Sequence, residues 1–197
     1  MKSGPRHTPV GVRIIAGRFR GRKLYYSGDP RTRPMKDRVR QALFNRLWPA
    51  VTGKLAVDLF AGTGALGLEA LSRGAARAIL IEQHQPTARD LRRSVEMLAA
   101  AEVVSIVNAD VFFWCRRHPR LGPEPWLVFC SPPYDFYVER AEAMLELVEG
   151  LIQAAPQESV FAVESDRRFD FHRLGNSEAW DLRAYPPAVV GIYRKHT

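Results

Sequence analysis

From residue 55 onward the chain alternates short apolar runs with longer amphipathic stretches. The runs at 55–60, 78–82, 103–107, 126–130 and 159–163 read as buried strands. Between them, 65–73, 85–101, 110–117 and 137–154 read as helices. In the last of these Ala141, Leu145, Val148 and Ile152 recur at helical spacing, with Glu139, Arg140, Glu142 and Glu146 outside. Strands alternating with helices predict an α/β fold with a doubly wound, mainly parallel sheet. The final stretch breaks the alternation. Runs at 179–185 and 188–194 flank Pro186-Pro187 with no helix between them. They predict an antiparallel C-terminal hairpin, which brings the sheet to seven strands.

Ahead of this pattern, Asp37 to Trp48 reads as an amphipathic helix ended by Pro49 and Gly53. Val39, Ala42, Leu43 and Leu47 form its apolar side, with Arg38, Arg40, Gln41 and Arg46 mostly opposite. Upstream, Val12, Ile14, Ile15, Phe19, Leu24, Tyr25 and Tyr26 are interleaved with basic residues, and Gly17 and Gly21 punctuate them. This is the pattern of a small folded β-hairpin rather than a solvated tail. Gly28-Asp29-Pro30 marks a turn after it. The expected organisation is a basic hairpin and helix over 1–50, serving as an RNA-binding appendage, followed by an enzyme domain over 51–197.

Charge sharpens that division. Residues 1–40 hold twelve Lys or Arg against Asp29 and Asp37, a net of +10, so the other 157 residues carry −2 of the total of +8. A localised excess of this kind fits a polyanion-binding arm on a near-neutral body. Arg18, Arg20, Arg22, Lys23, Arg33, Lys36 and Arg38 are its candidate nucleic-acid contacts. The rest of the composition is ordinary, with 46% hydrophobic and 25% charged residues over 197 positions. No apolar run approaches a membrane span, and Met1-Lys2-Ser3-Gly4-Pro5 opens no signal peptide. Cys115 and Cys130 offer neither a disulfide framework nor a metal pair, so a reducing cytoplasm is expected. His7, His84, His118, His172 and His196 lack ligand spacing, and no metal is expected. Size suggests a monomer.

Two loops carry the chemistry. Ser131-Pro132-Pro133-Tyr134 follows the apolar run Trp126 to Cys130. The prolines make the loop rigid and poor in donors, leaving the Ser131 hydroxyl and local carbonyls as fixed acceptors beside an aromatic ring. Such a site suits a flat heterocycle with an exocyclic amine. Ser131 Oγ and the Pro132 carbonyl would take the two amine hydrogens, Pro133 would stiffen the loop, and Tyr134 would stack on the base. The second loop runs from Asp58 through Phe60, Gly62 and Gly64 to Gly67, between a strand and a helix. Glu82 lies roughly 20 residues beyond it, where a ribose diol is held in nucleoside-binding α/β folds. Glycine spacing and Glu82 alone fit a dinucleotide as well as S-adenosylmethionine. Asp58 favours the latter, because a carboxylate suits the amino-acid end and sulfonium of that cofactor and repels a pyrophosphate. Asp110 is placed to accept from an adenine amine or to cap a helix. Asp58, Phe60, Gly62, Gly64, Glu82 and Asp110 are thus the candidate cofactor contacts.

With these motifs in view, the chain resembles the bacterial 16S rRNA guanine-N2 methyltransferases of the RsmD type. The likeness is carried by Arg13-Ile14-Ile15-Ala16-Gly17, Arg20 to Leu24, Arg33-Pro34, Asp37 to Arg40, Leu43-Phe44-Asn45, Gly64 to Gly74, the Ser-Pro-Pro-Tyr loop and Val163-Glu164-Ser165. It runs from about residue 12 to 194. The resemblance implies a Rossmann-like methyltransferase fold, S-adenosylmethionine as methyl donor, and one guanine of small-subunit rRNA as substrate. The family acts on a largely assembled particle, so ribosomal proteins join rRNA as implied partners. The family usually carries Asp where this chain has Ser131, and Thr-Thr or Thr-Ser where it has Met35-Lys36. Serine at that loop position resembles many cytosine-N4 DNA methyltransferases. Two further readings stay open: a DNA cytosine-N4 or adenine-N6 methyltransferase, which lacks an obvious target-recognition domain here, and a non-catalytic RNA-binding assembly factor.

Overall fold

The apolar runs become strands because both faces of the sheet are covered. β1 (Leu55–Asp58) and β4 (Trp126–Cys130) are buried at every position, so their sequences show no polar alternation. The computed structural model describes residues 11–29, 32–117 and 121–196; Met1 to Val10 of the basic segment, Pro30 of the predicted turn, and His7 and His118 lie outside them. β2 (Arg77–Ile81), β3 (Val104–Val107), β5 (Val160–Ser165), β6 (Asp181–Tyr185) and β7 (Ala188–Arg194) complete a seven-stranded sheet in the order β3-β2-β1-β4-β5-β7-β6. β3 to β5 in that order are parallel, whereas β7 is antiparallel to both β5 and β6. Strand order reverses between β1 and β4, with Asp58 opposite Phe129. Open α/β sheets bind ligands beyond the carboxyl ends of strands at such a reversal.

Successive residues of β4 feed two cores. Leu127 and Phe129 pack with α1 (Asp37–Leu47), α2 (Ala65–Ser72) and α3 (Gln85–Met97), while Trp126, Val128 and Cys130 pack with α4 (Val111–Arg116) and α6 (Ala141–Ala154). The helices depart from expectation in three places. α3 stops at Met97, and Ala99 takes a left-handed conformation before a 3₁₀ turn at Ala101–Val103. The predicted helix at 137–154 splits into α5 (Phe136–Glu139) and α6, with Arg140 outside helical geometry between them at φ −132° and ψ 32°. Its buried stripe runs through Met144, Leu145, Leu147, Val148 and Leu151, leaving Ala141 and Ile152 only partly covered. In α1 Leu43, Phe44 and Leu47 are buried, but so is Arg40, which the amphipathic pattern put on the polar side.

Arg40 is accommodated by an acidic anchor. Its guanidinium donates to the Met35 and Arg13 carbonyls and to Asp37, and its Nε lies 3.9 Å from Glu69. Burial lowers the Arg40 pKa, against the pull of Asp37 and Glu69. Glu69, fully buried in α2, accepts from the Ile15 and Ala16 amides at 2.7 and 3.0 Å and from Arg73 Nε at 2.7 Å. Ser72 follows one turn later, accepting from Arg18 N at its carbonyl and from Phe19 N at its hydroxyl. The segment therefore crosses back over α2 with Gly17 at a φ of 81°, and a Cβ there would meet the Ser72 carbonyl at 1.9 Å. The expected hairpin is a short one, with one antiparallel bridge between Arg13 and Lys23. Val12, Ile14 and Leu24 bury into the same core as α1 and α2.

Glu69→Ala removes the acceptor of two amides and the Arg73 guanidinium, together with the countercharge beside Arg40, inside the core. We expect a loss of about 3–5 kcal/mol in urea unfolding, the scale for a buried ion pair deprived of one member.

Candidate active site

Both predicted loops leave the carboxyl edge of the sheet from neighbouring strands. Gly62 and Gly64 adopt φ of 52° and 76°, the left-handed region that glycine occupies without a Cβ penalty. Gly67 is required for another reason: a Cβ there would meet Leu80 Cδ2 at 2.2 Å, so its absence lets α2 lie against β2. The Gly67 amide donates to Asp58 Oδ2 at 3.0 Å, tying the end of β1 to the first turns of α2. Asp58 is 1% exposed, and its Oδ1 has no hydrogen-bond partner among the described residues. Burial raises its pKa to about 7, with Glu82 adding to the effect and the Gly67 amide opposing it.

Glu82 follows β2. Its carboxylate accepts from the Gly62 amide at 2.9 Å and from the His84 amide at 2.6 Å, bracing the glycine loop from the next strand. Asn108 fastens the loop after β3 to this one, donating to the Glu82 and Gln83 carbonyls. Asp110 caps α4 by accepting from the Phe113 amide at 3.0 Å, and its other oxygen lies 3.6 Å from Arg140. Phe60 is half-buried and meets Phe112 and Phe136 at 6.3 and 6.0 Å between ring centroids. Arg140 lies over the last two rings at 5.0 and 5.1 Å.

In the other loop, Ser131 Oγ and Tyr134 Oη both donate to the Glu164 carboxylate at the end of β5, Tyr134 at 2.8 Å. Tyr137 Oη donates to the Glu164 carbonyl at 2.8 Å. The Pro133 carbonyl accepts from the Phe136 amide, so the loop turns directly into α5. Burial pushes the Tyr134 phenol above its ordinary value, and Glu164 pushes it further. Cys130 and Cys115 are pushed up to about 12 by burial, which removes them as nucleophiles. Among the described residues no group of three or more His, Cys, Asp or Glu converges as a metal site, and no helix is long and apolar enough to cross a membrane.

The basic candidates separate into two groups. Arg18 and Arg20 are exposed at the turn beside Ser72, with Lys23 and Arg22 nearby, the latter donating to the Met97 carbonyl. Arg33, Lys36 and Arg38 are exposed around the start of α1. The first group is thus near the carboxyl termini of α2 and α3, away from the two loops. The second adjoins Thr32, whose methyl group approaches Gly62. Sequence patterning did not single out Phe112, Phe136 or Arg140, and Glu164 entered only within the Val163-Glu164-Ser165 likeness. Their convergence depends on strand order, for which spacing along the chain carries no signal.

A family profile described as "Conserved hypothetical protein 95" matches residues 12–194. The chain belongs to this family. Members include the relative named "Ribosomal RNA small subunit methyltransferase D" of Escherichia coli strain K12, 41% identical over 131 residues. That alignment takes in 66% of this chain and spans 64% of the relative's length. The solved structure of yhhF from Escherichia coli superposes with a TM-score of 0.76 at 31% identity, covering 94% of this chain and 98% of that one. An RNA methyltransferase from Salinibacter ruber, solved in complex with S-adenosyl-L-homocysteine, has a TM-score of 0.62 over 83% of this chain and 94% of that one. At 15% identity the last likeness is one of fold. The family match takes in both loops, Glu164 and all the described basic residues named above.

Asp58 makes a pH prediction. An aspartate unfolded at 3.8 and folded at about 7 favours the protonated form in the native state, which therefore loses stability as pH rises between those values. Relative to Asp58→Asn, whose side chain does not titrate, the unmodified protein should lose up to about 4 kcal/mol between pH 4 and pH 8 in urea unfolding.

Proposed function

We propose that the chain transfers a methyl group from S-adenosylmethionine to an exocyclic base amine of ribosomal RNA, and that the target is guanine N2 of 16S rRNA in the small ribosomal subunit. One observation carries the reading: a rigid acceptor loop, Ser131 to Tyr134, leaves β4 beside the glycine loop of β1 at the reversal of strand order. Donor and acceptor sites thereby share one crevice. The membership of a family that includes the small-subunit methyltransferase D of Escherichia coli supports it.

The donor half suits S-adenosylmethionine. Asp58 Oδ1, buried and unpartnered, is an acceptor for an ammonium group, and Glu82 is braced at the ribose position. Phe60 and Phe112 offer apolar walls, and Asp110 stands at the adenine side while capping α4. When bound there, the cofactor supplies an electrophilic methyl carbon. An aromatic amine is a weak nucleophile, so the chain contributes position and exclusion of water more than a strong base. Ser131 Oγ and the Pro132 carbonyl orient the amine, and Tyr134 covers the base. Arg33, Lys36 and Arg38 hold nearby phosphates, while Arg18, Arg20, Arg22 and Lys23 grip RNA farther from the crevice.

Purified protein and labelled S-adenosylmethionine, offered small subunits lacking the modification, naked rRNA and duplex DNA, test the reading. Label is expected in 16S rRNA of the subunits. Label confined to DNA, or cofactor binding with no transfer, overturns it in favour of a DNA methyltransferase or an assembly factor. Ser131→Ala should slow transfer about 100-fold with cofactor affinity nearly intact, because the hydroxyl orients the base alone.

RNA binding should also weaken steeply with salt. Replacing Arg33, Lys36 and Arg38 together by Ala should flatten the log–log slope by ~0.7 for each single-stranded phosphate that is no longer neutralised, measured by filter binding from low to high salt.

A further inference from the structure

Three hydroxyls around the acceptor loop converge on one residue. The Glu164 carboxylate accepts from Ser131 Oγ through one oxygen and from Tyr134 Oη through the other, while Tyr137 Oη donates to its carbonyl. Glu164 is 9% exposed, in β5 directly beside β4. Among the described residues, its side chain has no cationic partner, in contrast to Glu69, which meets Arg73 and Arg40. A carboxylate this covered is costly unless its donors compensate. Here the donors are neutral hydroxyls, and one belongs to the residue that faces the base.

A hydroxyl that gives its proton to a carboxylate has its own lone pairs directed elsewhere and becomes a better acceptor. We propose that Glu164 is a positioning residue that works through Ser131: it turns Ser131 Oγ toward the base amine and receives, through that hydroxyl, the proton the amine releases. The inference rests on the methyl transfer proposed above. As the amine nitrogen bonds to the methyl carbon, the carbon–sulfur bond breaks and its electron pair stays on sulfur. The nitrogen then gives a hydrogen to Ser131 Oγ while the hydrogen already on that oxygen passes to Glu164. The products are a methylated amine, a neutral thioether and a protonated Glu164, which returns its proton to water. Tyr134 does not compete for this proton, because burial and Glu164 together keep its phenol protonated.

Glu164→Gln preserves the size of the side chain and an acceptor for the tyrosines while removing the charge. Single-turnover methyl transfer to small subunits should slow about 100-fold, with cofactor Kd and RNA KM changed no more than roughly twofold. Ser131→Asp added to Glu164→Gln should recover at least about tenfold of that loss, since a carboxylate then stands at the base itself. A Glu164→Gln protein as fast as the unmodified one overturns the inference. So does a slowing that Ser131→Asp leaves in place, or one matched by an equal loss of cofactor binding. An unmodified protein that labels none of the substrates overturns the proposed function and this inference together; an active one indifferent to Glu164→Gln overturns this inference alone.

Discussion

The buried carboxylate of Glu69 is the fastening on which the rest of the molecule hangs. It accepts from the Ile15 and Ala16 amides while sitting in the helix that begins at the glycine loop. An acidic side chain in that core would be prohibitive without donors, and the chain supplies them from its own backbone and from Arg73, with the Arg40 charge 3.9 Å away. Once the segment is anchored there, its course is fixed. Tyr25 N reaches Ser94 Oγ on α3, Tyr26 Oη donates to the Asp29 and Thr32 carbonyls, and Thr32 arrives beside Gly62. The basic segment and the glycine loop are in this way parts of one packed unit.

Much of the architecture was legible because it rests on short-range rules. Strands buried on both faces read as unbroken apolar runs, and the proline pair between 185 and 188 separates two strands that pair antiparallel. What was not legible depends on partners distant in sequence. Arg40 looks like a surface residue until Glu69, 29 positions later, is packed against it. The rotated stripe of α6 reflects the break at Arg140, whose side chain is drawn to Phe112, Phe136 and Asp110.

The same distinction holds in the crevice. Ser131, Asp58 and Glu82 stand out along the chain as residues at strand ends, but their bonds do not. Asp58 meets an amide nine residues on, whereas Ser131 meets Glu164 only because β5 lies beside β4. The two buried carboxylates have contrasting surroundings. One is held by a backbone N–H with an oxygen left over, the other by hydroxyls on both oxygens. Under the proposed function, the first arrangement serves cation recognition and the second proton traffic.

The fold sets the two basic groups apart. Arg18 and Arg20 flank Ser72, at the amino-terminal edge of the parallel strands, while Arg33 follows Thr32 at the opposite edge beside Gly62. A strand of four or five residues separates these edges, about 15 Å. A single nucleoside is too short to touch both edges while offering its base to the crevice. A folded RNA surface of fixed dimensions can do both. Under the proposed function, two basic groups so spaced make the choice among chemically identical bases a matter of length rather than of base contacts.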